Sequence, residues 1–208
     1  MFKDRAEAGR LLAQKLLPYR NSNQIVVALP RGGVVPGYEI AKALNIPLDI
    51  FFVKKIPSPY NKEAGIGAVS ENGYYFVDPN AKKMLNISDS YIQNAIKEVL
   101  QKIKEKRAIY NKPRLDYKDK EIILVDDGVA TGSSMLLAID ALKKEGAKKI
   151  IVAAPVAPLD VANRLKEVAN NAVFLEIPTI FNAVGEFYED FHQLSDSEVL
   201  EILKKVKE

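Results

Sequence analysis

The residues best suited to chemistry stand together in EIILVDDGVATGSSM, residues 121–135. A short apolar run meets Asp126 and Asp127, and small residues from Gly128 to Ser134 follow. Small side chains let an anion come close to main-chain amides, and the start of a following helix adds the positive end of its dipole. The hydroxyls of Thr131, Ser133 and Ser134 add donors. Two carboxylates facing such a cradle would repel its anion. Facing the vicinal hydroxyls of the same ligand, or a Mg²⁺ bound to them, they attract it. A sugar with a 5-phosphate satisfies both halves of the pattern. A nucleotide P-loop would need GxxxxGK before Ser or Thr, yet no lysine follows Gly132, and GxGxxG is absent as well. A buried strand ending in a capping aspartate and a flexible turn is the ligand-free explanation. Strand, paired acids and ATGSS in direct succession are more specific than that.

These residues need a frame that presents them. QIVVALP reads as a short buried strand, broken by RGG before the helix VVPGYEIAKALN. PLDIFFVKKI reads as a second strand, PSPYNKEAG as a polar loop, and IGAVSENGYYFV as a hairpin turning at Glu71 to Gly73. A long helix follows from about Ser88 to Tyr110. EIILVDD, KKIIVAAPV and AVFLEI are further strands, separated by the helices TGSSMLLAIDALKKEG and LDVANRLKEVAN. RAEAGRLLAQKLLPY is a helix at the start, and the tail is an aromatic-rich loop with a helix capped at Ser195 or Asp196. Strands alternating with helices predict an α/β fold with a mainly parallel sheet flanked by helices. In open sheets of this kind, ligands sit beyond the carboxyl ends of the strands, where Asp126 and Asp127 fall.

Bulk composition narrows the classes. The 208 residues suit one large domain, and 48% hydrophobic with 27% charged residues can bury a core. Without cysteine there are no disulfides, thiolate catalysis or cysteine-ligated metals, and His192 alone makes no multi-histidine site. The opening MFKDRAEAGR lacks a signal-peptide core, and the longest apolar run, IIVAAPVAPL, is too short to span a membrane; the expectation is a cytoplasmic protein. A net charge of +3 argues against wholesale binding of DNA, and the glutamates mixed into the basic helix mark a solvated face rather than an RNA-binding one.

ILVDDGVATGSSM resembles the ribose-5-phosphate signature of type I phosphoribosyltransferases, enzymes that bind 5-phosphoribosyl-1-pyrophosphate (PRPP) with Mg²⁺. The resemblance implies a Rossmann-like core over residues 1–178 and a C-terminal hood over 179–208 that is no independent domain. It implies that Asp126 and Asp127 hold the ribose hydroxyls, and Mg²⁺ mainly through PRPP and water. Val129, Ala130, Thr131, Gly132, Ser133 and Ser134 would cradle the 5-phosphate. LPRGG, residues 29–33, resembles the family's pyrophosphate loop, with Arg31 as a cationic fork, Gly32 and Gly33 exposing amides, and a cis peptide expected between Arg31 and Gly32. Lys54 and Lys55 end the second strand, where at least one should face the crevice and offset charge on departing pyrophosphate. Asp126, Asp127, Arg31 and Lys54 form the expected catalytic set. A flexible loop near 57–67 corresponds to the family's lid.

In the tail, Phe181, Phe187, Tyr188 and Phe191 either cap the sheet or stack a planar acceptor base; the hood reading names Phe181, Phe187 and Tyr188 as acceptor contacts, and His192 receives no role. PRGGV, APVAP and VGEFYEDFHQLSDSEV also resemble a bacterial and archaeal branch of stand-alone predicted phosphoribosyltransferases, which does not fix the acceptor. Enzymes acting on 6-oxopurines carry an aspartate before Thr-Gly; Ala130 stands there, which weakens a hypoxanthine or guanine assignment. The resemblance thus implies phosphoribosyl transfer from Mg-PRPP to an acceptor such as a nucleobase, by a homodimer. A PRPP sensor without turnover and a sugar-phosphate hydrolase are the competing readings.

Overall fold

The computed structural model describes residues 1–206. Lys207 and Glu208, the end of the expected hood segment, lie outside the described residues. Five strands, β1 (Ile25–Ala28), β2 (Leu48–Ile50), β6 (Glu121–Val125), β7 (Lys149–Val156) and β8 (Asn171–Glu176), form a sheet in the order β2-β1-β6-β7-β8. Each neighbouring pair is parallel. Their sequences are apolar throughout because both faces are covered. Ile122 and Leu124 point into a core with α5 (Ser133–Lys144) and α6 (Leu159–Val168). Ile123 and Val125 point the other way, into a core with α1 (Arg5–Lys15), α2 (Val34–Leu44) and α7 (Asp196–Lys204). The strand order reverses between β1 and β6. In doubly wound sheets that reversal opens a crevice beyond the strand ends.

The second strand departs from expectation. PLDIFFVKKI divides into β2 and β3 (Val53–Pro57), which belong to different sheets. Phe51 and Phe52 are the cause: both are buried, Phe51 in the α5/α6 core against Tyr117 and Phe52 in the opposite core, stacked on Tyr110. Seating adjacent aromatics in opposite layers turns the chain out of the parallel sheet. β3 then pairs antiparallel with β4 (Gly65–Ser70), and β4 with β5 (Tyr75–Val77) around the expected turn at Gly73, whose φ is +88°. This small sheet packs through Ile56, Ile66 and Val69 on Ile92, Ala95 and Ile96 of α4 (Asp89–Tyr110). Ser88 caps α4 by accepting the N–H of Tyr91. A short helix, α3 (Pro79–Met84), precedes α4 and was not expected. Pro57, Gly65 and Gly67 are strand residues, so the loop expected near 57–67 narrows to residues 58–64. Among the described residues, no helix is long and apolar enough to cross a membrane.

Candidate active site

β1 and β6 lie side by side with Ala28 opposite Val125, so the segments after them leave the sheet together. One carries Arg31, Gly32 and Gly33, the other Asp126 and Asp127. The two segments touch so closely that no side chain fits between them. A Cβ on Gly32 would lie 2.1 Å from Asp127 Oδ2, and one on Gly33 would lie 2.5 Å from the Leu29 carbonyl and 2.8 Å from that of Val125. At Gly33 backbone atoms leave no room for a side chain, and at Gly32 a side chain would have to displace the Asp127 carboxyl. The cis peptide lies at Pro30–Arg31, one bond earlier than the resemblance implied.

The two acids are not equivalent. Asp127 Oδ2 accepts the Nε–H of Arg5 at 2.8 Å, in a pair whose side chains are 9% and 14% exposed. Arg5 also donates to the His192 carbonyl at 2.8 Å and lies 4.0 Å over the Phe191 ring. Asp126 Oδ1 accepts the Asp127 N–H at 2.8 Å. Asp126 keeps partial exposure as a residue, but its carboxyl is densely surrounded. Burial, then the charge on Asp127, pushes that carboxyl well above the usual carboxylate range; the Asp127 N–H and Arg5 pull the other way. The Asp126 and Asp127 carboxyls also lie within hydrogen-bonding reach of each other, which adds to the rise at Asp126; among the described residues no other side chain than Arg5 donates to Asp127.

The small-residue loop leads directly into α5. Gly132 takes a left-handed conformation, φ +84°, and its carbonyl starts α5. Ala130, Thr131, Ser133 and Ser134 are exposed. Among the described residues, the amides of Ala130, Thr131, Gly132 and Ser134 have no protein acceptor, while Ser133 N–H approaches Thr131 Oγ1 at 3.4 Å. Val129 is a correction: its side chain is buried in the core and its N–H is engaged by the Val156 carbonyl, so its amide is not free for a phosphate. Gly33 is another, since its N–H bonds the Leu29 carbonyl at 3.0 Å. Among the described residues, the Arg31 and Gly32 amides of that loop have no protein acceptor.

Lys54 and Lys55 do not end a strand of the parallel sheet as expected; they sit within β3, opposite Val69 and Ala68. They do diverge. Lys55 Nζ donates to the Glu63 carbonyl at 2.6 Å, towards the 58–64 loop. Lys54 is exposed as a residue, yet its amine is held below the ordinary lysine value by burial first, then by Arg31 and Lys106, with Asp196 opposing. Of the two, Lys54 is the one that feels the charge of Arg31.

The aromatic tail is largely internal. Tyr188 is buried between Phe2 and Phe191, and its hydroxyl donates to the Asp127 carbonyl at 2.7 Å. Burial, then Asp127, raises that hydroxyl's pKa. An acceptor-stacking role for Tyr188 does not fit this placement. Phe181 and Phe187 are half-buried and stack on each other at 5.8 Å. His192 lies exposed between Asp190 and Glu198, at 3.0 and 2.8 Å. Arg5 went unnoticed in the sequence because nothing near it in the chain signals a partner 122 residues away.

A family model described as a phosphoribosyl transferase domain matches residues 3–192. Proteins from two Mycobacterium tuberculosis strains, CDC 1551 / Oshkosh and ATCC 25618 / H37Rv, provisionally named phosphoribosyl transferases, are 32% identical over 207 residues, which is 99% of this chain and 47% of theirs. The chain spans about half the length of these curated relatives. The crystal structure of a Thermus thermophilus protein is similar with a TM-score of 0.80 and 38% identity, covering 97% of both chains. A 44-residue stretch is 52% identical to uracil phosphoribosyltransferase of Ligilactobacillus salivarius, covering 19% of this chain and 21% of that protein.

Proposed function

Since the chain belongs to the phosphoribosyl transferase domain family, we propose that it transfers a 5-phosphoribosyl group from Mg-PRPP to an acceptor of the nucleobase kind, releasing pyrophosphate. The observation that carries this reading is the contact of Gly32 with Asp127, which sets a pyrophosphate loop and a sugar-binding acid pair on one crevice. Asp127, held by Arg5, takes a ribose hydroxyl, and Asp126 stands beside it. The free amides of Ala130 to Ser134 take the 5-phosphate. Arg31, Gly32 and Lys54 take the pyrophosphate. As the bond from C1 to the pyrophosphate oxygen breaks, positive charge develops on the ribosyl carbon, and the acceptor nitrogen then bonds to C1. Clamping both phosphate ends and stabilising the leaving group supply the acceleration, with no covalent enzyme nucleophile.

The donor set fits a Mg²⁺ that arrives with its ligand. No group of three metal-ligating side chains exists among the described residues, and Asp127 already serves Arg5. Mg²⁺ is commonly held by one or two carboxylates plus substrate oxygens and water, and Asp126 and Asp127 provide that much. Bound there, it would neutralise phosphate charge.

The mutual stacking of Phe181 with Phe187 leaves no open aromatic slot between them and favours a second reading, a PRPP-binding module without turnover. One assay separates the two: pyrophosphate release from Mg-PRPP across a panel of bases, alongside calorimetric titration of Mg-PRPP. Release with one base supports the transferase. Binding without release supports the module. Absence of binding, with no protection of residues 126–134, removes both.

A further inference from the structure

Beside the Arg31–Gly33 loop, cations from two separate elements meet one carboxylate. Asp196 opens α7, fixed there by a capping box in which Ser195 and Glu198 bond each other's backbone. Its Oδ2 accepts from Lys106 Nζ of α4 at 2.5 Å, and its Oδ1 accepts from the Tyr110 hydroxyl at 2.8 Å. Arg31 Nη1 lies 3.8 Å from the same oxygen.

Two positive groups against one acid leave a surplus of charge. The cluster is also open to solvent: the Arg31, Lys106 and Asp196 side chains are 34%, 30% and 33% exposed. Without a counter-ion, mutual repulsion would drive the cations apart. With a single carboxylate they are held together but incompletely neutralised. An anion of higher charge meets the same donors better, and the adjoining Gly32 amide adds to them. Lys106 and Tyr110 are turned inward by helical spacing from buried Ile103, unlike the solvated lysines of α4.

We propose that Lys106 is a direct ligand of the donor's pyrophosphate, and that Asp196 is an internal counter-ion which keeps Arg31 and Lys106 assembled and gives them up to that pyrophosphate. This rests on the reading of the crevice as a phosphoribosyl-donor site and adds one ligand and one competitor to it. Tyr110 is a positioning residue for Asp196. The competition weakens the hold on pyrophosphate both as part of the donor and as product, so the empty site stays organised without binding its product too tightly.

The test titrates Mg-pyrophosphate and, separately, ribose 5-phosphate into the wild-type chain and the variants Lys106→Met, Asp196→Asn and Tyr110→Phe, with melting curves to verify folding. Lys106→Met is expected to weaken pyrophosphate binding about tenfold. Asp196→Asn, which retains the helix start, is expected to tighten it about fivefold, and Tyr110→Phe to shift it the same way by less. Ribose 5-phosphate affinity should stay constant in all three. Unchanged pyrophosphate affinity in Lys106→Met overturns the ligand role. Unchanged or weaker affinity in Asp196→Asn overturns the counter-ion role. Either result with ribose 5-phosphate still bound leaves the donor-site reading standing, whereas a wild-type chain that binds neither compound removes both.

Discussion

Asp49 and the Asp126–Asp127 pair are acids on neighbouring parts of one sheet, yet they are treated oppositely by their surroundings. Asp49, on β2, has no exposure. Its Oδ1 accepts the Ile50 N–H, its Oδ2 accepts the Leu115 N–H and the Tyr117 hydroxyl, and Arg107 lies 3.8 Å away. Arg107 forks onto Glu71 at 3.0 and 2.7 Å and donates to the Ile50 and Lys112 carbonyls. Each oxygen there has a protein partner, and the network joins β2, the β4–β5 turn, α4 and the segment leading to β6. In the crevice, by contrast, the one arginine pairs with Asp127 alone, and the Asp126 carboxyl, set against that of Asp127, is pushed towards its neutral form. A satisfied buried acid holds the chain together; an under-satisfied pair holds something that comes from outside.

That contrast can be broken at either end. The largest effect is expected at the satisfied network: Arg107→Met leaves Asp49 buried without its cation and Glu71 with only Arg114 at 3.7 Å, and should cost about 3–5 kcal/mol, seen as a melting temperature lower by roughly 10 °C. Ribose 5-phosphate affinity of the folded protein should not change; a loss would show that this network also serves the ligand. Next comes Gly32→Ala, whose new methyl would meet Asp127 Oδ2 at 2.1 Å and displace the acid. Misplacement of this kind should lower kcat/KM by about 100-fold, measured with whichever acceptor supports turnover, and an unaffected rate would remove Asp127 from the site.

The smallest effect sharpens the comparison by pH. The folded pKa of Asp126 is raised, so its contribution is fully favourable below the unfolded carboxylate value of about 3.9 and is lost as pH rises through the elevated folded value. Asp126→Asn removes that titration while keeping an acceptor for the Asp127 N–H. The variant should melt like wild type near pH 4 and a few degrees higher than wild type at alkaline pH. A difference that stays constant across this range would mean that Asp126 does not titrate as its surroundings require.

Much of this was legible where the chemistry is contiguous. The acids, the small-residue loop and the glycines after β1 each follow a strand directly, so alternation of strand and helix sufficed to set them on one sheet edge. Residues whose roles depend on distant partners were not legible. Arg5 gains its role from Asp127, Phe191 and the His192 carbonyl, all far along the chain. Tyr188 reads as an available aromatic until Phe2 and Phe191 are seen on either side of it. The break at Phe51–Phe52 hides in an unbroken apolar run, because periodicity cannot show that two neighbours enter different cores. The engaged amides of Val129 and Gly33 belong to the same class: composition says that a loop is small, and only its packing says which N–H groups remain free.

The pairing of β1 with β6 also bears on how the molecule comes together. Gln24 and Glu121, bonded at the foot of these strands, are 97 residues apart in sequence, and the whole antiparallel unit is threaded between them. Contacts of such separation close late and slowly in folding. The Ala130–Ser134 turn can take shape locally, but its opposite wall arrives only once that long excursion has shut. A bound sugar phosphate would fasten the two sides after closure, slowing reopening in proportion to its occupancy.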